Sequence, residues 1–169
     1  MNIQNKNWFA LYTKVNQEFK AAEQLNRIGI EYYLPVVNKI RQWSDRKKKI
    51  KEPVIKNYIF IYATESERLE ALNLTSVVRC ISENGRPAVI PEWQIENLKL
   101  VIESRADFIL YEGLVPGQSI EILTGPFKGV KGIVHAFNDK NMNLAISIDI
   151  LNRSLIIQLP EGIEIRKCE

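Results

Sequence analysis

The sequence predicts an α+β protein in two parts: an N-terminal, mainly antiparallel sheet with helices on one face, followed by a small all-β barrel. Three observations lead there. Apolar residues recur at three- and four-residue spacing in separate stretches of the first hundred positions. Short Ile/Val/Tyr runs lie between those stretches. From residue 116 the chain holds only short Ile/Val/Leu runs separated by the turn signals "PG", "GPFKG", "FNDKN", "LNRS" and "PEG", and six of the eight glycines lie at 113 or later.

In order, "WFALYT" reads as a strand. Val15, Phe19, Ala22, Leu25 and Ile28 then mark a helical stripe, with Asn16 available as an N-cap and Gly29 as the stop. "IEYYLPV" and "PVIKNYIFIYA" are further strands, "ESERLEAL" a short helix and "TSVVRCI" another strand. A last helix runs from Pro91 to Glu103, with proline in its first turn and Ile95, Leu98 and Ile102 on one side. The expected domains are residues 1–104 and 116–169. Residues 105–115, "RADFILYEGLV", join them and are apolar enough to dock in part.

Composition narrows the function classes. At 169 residues and 46% hydrophobic content the chain can build real cores. No apolar run reaches membrane-spanning length, and "MNIQNKNWFA" lacks the pattern of a signal peptide, so a cytoplasmic protein with no membrane role is expected. Cys80, Cys168 and the single His135 supply neither a disulfide framework nor metal spacing. No paired carboxylates and no nucleophile with its base emerge, so neither an enzyme nor a cofactor is expected.

Charge is divided unevenly. Residues 1–105 hold 17 Lys/Arg against 12 Asp/Glu, and residues 106–169 hold 6 against 8. Within the first part, "KIRQWSDRKKKIK" carries seven bases and one acid. Such a run is either a solvated hairpin tip or a nucleic-acid contact. Trp43 beside Arg41, Arg46, Lys47, Lys48 and Lys49 favours the latter, because charge neutralisation plus a stacking ring suits single strands. Six phosphate contacts would give a log K against log salt slope of about −4.

Two strands are apolar on both sides. Along "VIKNYIFIY", Ile55, Ile59 and Ile61 alternate with Tyr58, Phe60 and Tyr62; in the first strand Phe9 and Leu11 alternate with Trp8, Ala10 and Tyr12. With the aliphatic side under helices, the aromatic side is covered either by an external partner or by another part of the chain. In "GPFKGVKGIV" the glycines at 125, 129 and 132 suit either a phosphate loop or a tight strand corner. A phosphate loop needs a helix with Lys-Ser or Lys-Thr to follow, whereas "GVKGIVHAF" runs on as a strand. The glycines are therefore read as barrel geometry, with Ile120, Ile122, Val130 and Ile133 available for the core and Phe127 as either core or contact residue.

An α+β half followed by a barrel opening on "GPFKGVKG" resembles the NusG-type transcription elongation factors, whose N-terminal NGN domain precedes an SH3-like KOW barrel. "WFALYTKVNQEFKAAEQL", "RQWSDRKKKIKEP", "NYIFIY" and "GRPAVIP" look like the specialised UpxY and RfaH group, which promotes transcription through long operons such as those for surface polysaccharides. The resemblance implies a monomer that binds RNA polymerase across its cleft, suppressing pausing and termination by binding alone. It assigns the contact with the polymerase clamp helices to Tyr58 and Phe60, with Ile55, Trp8 and Tyr12 as neighbours. It assigns contact with the non-template DNA strand to Lys14, Gln17 and Lys20, and partner recruitment, of a ribosomal protein or a termination factor, to Phe127. Lys56 and Asn57 depart from the Pro-Gly of the general factors, and no counterpart of the RfaH His-Thr-Thr element is present. The alternatives are a general NusG factor and a ribosome-associated KOW protein binding structured RNA. The net negative barrel disfavours the latter. "AISIDI" and "SLIIQL", β-branched at period two, favour a permanent barrel.

Overall fold

Fifteen strands and three α-helices are seen among the described residues of the computed structural model, which are 5–42, 46–113, 116–138 and 141–168. They fall into two units, Met1–Ile90 and Pro91–Glu169.

In the first unit, β1 (Asn7–Thr13) is the centre of an antiparallel sheet. β5 (Tyr58–Ala63) lies on one side of it and pairs outward with β2 (Glu31–Tyr33); β6 (Val77–Cys80) and β9 (Val89–Ile90) pair with the rest of β1. Trp8 opposes Tyr62, Ala10 opposes Phe60 and Tyr12 opposes Tyr58, so the two strands share both faces in register. The helices α1 (Glu18–Arg27) and α2 (Glu65–Ala71) cover the aliphatic face, where Phe9, Leu11, Ile59 and Ile61 pack with Ala21, Ala22, Leu25 and Ala71. β3 (Val36–Gln42) and β4 (Lys47–Pro53) form a separate two-stranded ribbon, and β7 (Ser82–Glu83) with β8 (Arg86–Pro87) a minimal one.

The expected helical stripe is shifted in phase. Ala21, Ala22 and Leu25 are buried, but Val15 is 70% exposed and Phe19 41%, while Glu18 is buried in their stead. Asn16 is not the cap: it takes φ 58°, and Gln17 precedes the helix with no side-chain capping bond. Glu18 turns inward because its Oε1 accepts the Asn57 N–H at 2.8 Å, which sets the rotation of the first turn. The strand expected from Pro53 is likewise interrupted. Asn57 stands at φ 65°, a left-handed conformation open mainly to Gly, Asn and Asp, so residues 54–57 form a turn before β5. The corner is thus completed by an asparagine in the left-handed region.

The second unit begins with α3 (Glu92–Glu103) and continues into six antiparallel strands. β10 (Phe108–Glu112) and β15 (Ile165–Lys167) form the edges; between them, in order, lie β14 (Arg153–Leu159), β13 (Asn141–Ile148), β12 (Lys131–Asn138) and β11 (Ser119–Ile122). Ile120, Ile122, Val130, Leu144, Leu155 and Ile157 are buried. Ile133 is only partly so. Two boundaries differ from the sequence expectation. Residues 108–112 are a strand, not a linker, because Phe108, Ile109 and Leu110 pair with Ile157, Ile156 and Leu155. The helix expected in the first domain belongs to the second unit, its Gln94 and Asn97 hydrogen-bonding to Asp149 and Lys131. No helix among the described residues is long and apolar enough to cross a membrane.

Candidate functional site

The aromatic face of the first sheet is held from beneath. Asn57, fixed by its N–H to Glu18 and by its carbonyl, which accepts the Thr13 N–H at 2.8 Å, directs its side-chain amide to the Tyr12 hydroxyl at 3.4 Å. Tyr12 in turn meets Tyr58 edge to face at 5.3 Å between ring centroids, and the Arg79 guanidinium lies 5.7 Å from the Tyr12 centroid. Further along, Trp8 packs at a tilt on Tyr62 and Tyr33 stacks on Phe60. Tyr12, Tyr58 and Tyr62 are half-buried.

The expectation of ring side chains open to a partner is corrected at three positions. Phe60 is 0% exposed, and Trp8 and Ile55 are also buried, so none of the three offers surface for direct contact. Trp8 and Phe60 alternate with the helix-facing residues as expected, but a pure hydrocarbon or indole body buries where a tyrosine keeps its hydroxyl wet. Tyr12 and Tyr58 alone of the five assigned residues retain accessible area.

Lys14 and Lys20 are exposed and Gln17 is half-buried, on the leading end of α1 and the turn before it. The phase shift adds exposed Val15 and Phe19 to that neighbourhood. The sequence reading missed them as surface residues because their apolar spacing fitted a stripe. The missed signal lies at Glu18: a carboxylate that accepts a backbone N–H at a turn can enter an interior that a solvated one cannot.

On the ribbon of β3 and β4, Arg41, Arg46, Lys47, Lys48 and Lys49 are all exposed. Trp43 lies outside the described residues. Glu52 receives Lys39 at 3.2 Å and Arg41 in a direct ion pair. The Lys39 ammonium foremost, with Arg41, holds the Glu52 carboxyl below its ordinary pKa. The ladder brings the bases together, which a coil would not, and the pairing runs from Val36 opposite Pro53 to Gln42 opposite Lys47.

In the second unit Phe127 is 3% exposed, which resolves its open reading as core. It sits in the turn between β11 and β12, its carbonyl accepting the Val130 N–H at 3.0 Å while Gly129 N–H returns to Ile122 at 2.8 Å. The turn folds the ring inward, so the assigned contact with a partner has no exposed phenylalanine to use.

The family model NusG, described as transcription termination factor nusG, matches residues 6–99, more than half of the chain. Among solved structures, one concerning domain interaction in Thermotoga maritima NusG is 16% identical, covers 98% of this chain and 98% of its own, and superposes with a TM-score of 0.53. Two structures of the MjSpt4:Spt5 complex, in conformations B and A, are 21% and 20% identical. Each covers 96% of this chain, with 98% and 99% of their own, and TM-scores of 0.34 and 0.30. The likeness to the Thermotoga structure is one of fold and runs through the β-rich second unit; the family-model match over residues 6–99 establishes that the chain belongs to the NusG family.

Proposed function

We propose that this NusG-family chain is a transcription elongation and antitermination factor of the specialised UpxY and RfaH kind. It docks the tyrosine side of its first sheet on the clamp helices of RNA polymerase and lays basic residues on DNA. The observation that carries the reading is the braced pair Tyr12 and Tyr58: two adjacent, half-buried rings, oriented by Asn57 and Arg79 on the sheet of the family-matched domain. Tyrosines of this sort supply contact area at small entropic cost and keep a polar tip for a partner's backbone. Phe60 and Trp8 flank the tyrosines on the same face as buried packing residues of the β1–β5 ladder, and Ile55 is buried in the turn before β5.

The mechanism is binding without covalent chemistry. A factor that bridges the two sides of the polymerase cleft stabilises the closed clamp by its differential affinity for that state, and pausing or termination becomes less frequent in proportion. Lys14, Gln17 and Lys20 face the non-template strand in this reading, and the ribbon adds salt-sensitive attraction to nucleic acid. The second unit serves as the KOW module, recruiting a ribosomal protein or a termination factor through residues other than the buried Phe127.

Cosedimentation tests the reading. The chain is expected to travel with purified core polymerase and not with ribosomes, and Tyr12→Ala with Tyr58→Ala is expected to release it. Retention on ribosomes alone would move it to the RNA-binding class. Genome-wide mapping then separates a specialised factor, found on one long operon, from a general one found on all transcribed DNA.

A further inference from the structure

The ribbon of β3 and β4 has two chemically unlike faces. Directly opposed residues of an antiparallel ladder share a face, and neighbours along a strand alternate. One face therefore carries Val37, Lys39 and Arg41 with Lys48, Ile50 and Glu52. The other carries Val36, Asn38, Ile40 and Gln42 with Lys47, Lys49, Lys51 and Pro53. On the first, Glu52 binds Lys39 and Arg41, so the basic charge there is partly neutralised within the ribbon itself. The second has no acid. Its three lysines are exposed, stand on alternate residues of one strand about 6.8 Å apart, and none forms an ion pair among the described residues.

We propose that the face of Lys47, Lys49 and Lys51 is a docking edge for the phosphate backbone of a DNA duplex, while the Glu52 face is turned away from it. The proposal rests on the reading of the chain as a transcription factor that touches nucleic acid, and it changes which residues do so. A straight row of ammonium groups within a Debye length of one another, about 8 Å at physiological salt, repels itself in solution. A polyanion with charges in an equally regular line relieves that repulsion and releases counterions. The neutral row opposite completes the fit. Asn38 and Gln42 can donate to phosphate or sugar oxygens, and Ile40, 65% exposed, is an aliphatic body with no ring for stacking on an unpaired base. The width of a two-stranded ribbon also matches the major groove of a duplex.

Fluorescence anisotropy of the full chain on a short labelled duplex, across a salt series, tests the assignment. Lys47→Gln with Lys49→Gln and Lys51→Gln is expected to lower the magnitude of the log K against log salt slope by about 2.7, three phosphates at about 0.9 each. The opposite-face control, Lys39→Gln with Arg41→Gln and Lys48→Gln, removes as many charges and is expected to lower it by less than about 1. Equal losses from the two triples overturn the proposal. So does tighter binding to the unpaired strand of the same sequence, or an absence of duplex binding by the parent chain at low salt. Glu52→Gln, which frees Lys39 and Arg41 without touching the lysine row, is expected to leave the slope unchanged; a clear increase would place the other face on DNA. Polymerase cosedimentation of the same proteins separates the two readings. An unchanged slope with polymerase binding intact discards the docking edge alone, and loss of polymerase binding by the parent discards the elongation reading while the duplex result stands.

Discussion

Asn97 grips the backbone of Lys131 from both sides, its amide nitrogen donating to the Lys131 carbonyl at 2.6 Å and its amide oxygen accepting the Lys131 N–H at 3.2 Å. One turn earlier Gln94 does the same to Asp149, donating to Oδ2 at 2.8 Å and accepting the backbone N–H at 3.2 Å. Both amides are buried, so these are the contacts that fix the rotation of α3 on the sheet of the second unit. Ile95, Leu98 and Val101 supply burial, which by itself tolerates sliding.

Asn97→Ala is therefore expected to destabilise the second unit by about 1 to 3 kcal/mol, since it strands a donor and an acceptor of Lys131 at once. Gln94→Ala should cost less, because one of the two groups it frees is the Asp149 side-chain carboxylate, which can turn into water, whereas both groups freed at Lys131 are backbone fixed in β12. Urea unfolding checks both. A cost for Asn97→Ala no greater than that for Gln94→Ala would show that solvent replaces the amide and that apolar contact alone seats the helix.

Phe60 and Tyr58, two residues apart on β5, separate stability from binding. Phe60→Ala removes a fully buried ring and is expected to cost about 3 to 5 kcal/mol, with any loss of polymerase retention following from partial unfolding. Tyr58→Ser removes a ring that is already half in water, so it should leave the melting transition nearly in place while weakening retention on polymerase. If Tyr58→Ser unfolds the domain as severely as Phe60→Ala, the tyrosine is structural and the proposed contact has no support at that position.

The elements most legible in the sequence were those whose signals are local. α2 and α3 are legible within a residue of their ends, α3 from the spacing of Ile95, Leu98 and Ile102, and of Ile120, Ile122, Val130 and Ile133, read as available for the core of a glycine-cornered barrel, the first three are buried. The two-sided character of β1 and β5 was also visible, because alternation is a property of the strand itself. What failed depended on distant partners. No local rule says that Glu18 will find the Asn57 N–H 39 residues away and rotate α1, exposing Phe19. None says that β14 will recruit 108–112 as a strand. At the candidate site the residue types were readable, but the division between buried Phe60 and half-exposed Tyr58 follows from packing on the sheet, and the two faces of the ribbon follow from a register that composition leaves open.

Thr64 and Glu67 form a reciprocal cap at the start of α2: the Thr64 hydroxyl accepts the Glu67 N–H at 3.2 Å, and Glu67 Oε2 accepts the Thr64 N–H at 2.7 Å. Thr64→Ala is expected to cost about 1 kcal/mol. The Thr64 N–H, and after it the Lys6 ammonium at 3.0 Å, hold the Glu67 carboxyl below its ordinary pKa. A carboxylate lowered in the folded state stabilises above its unfolded pKa, about 4.3, and that contribution disappears as pH falls through the folded value. Stability measured from neutrality down to pH 3 should therefore fall more steeply in the parent than in Glu67→Gln. Parallel curves would mean that the cap does not depend on charge.

Gly129 and Gly132, three residues apart at the same corner, should respond in opposite order to the same pair of substitutions. Gly129 takes φ 89° with open space where a Cβ would stand, so its requirement is backbone conformation. Asparagine visits that region more readily than alanine, and Gly129→Asn should be milder than Gly129→Ala, which costs about 1 to 2 kcal/mol. At Gly132 a Cβ would come within 2.6 Å of the Ala145 carbonyl oxygen and 2.9 Å of Leu144 Cγ, so the requirement there is close approach of β12 to β13. Any side chain must push the ladder apart, Gly132→Ala costs about 1 to 3 kcal/mol, and the larger Gly132→Asn costs more. Thermal unfolding of the four variants reads the order directly. If asparagine is the milder substitution at both positions, the glycine at 132 serves conformation as well, and the close packing of the two strands is not what requires it.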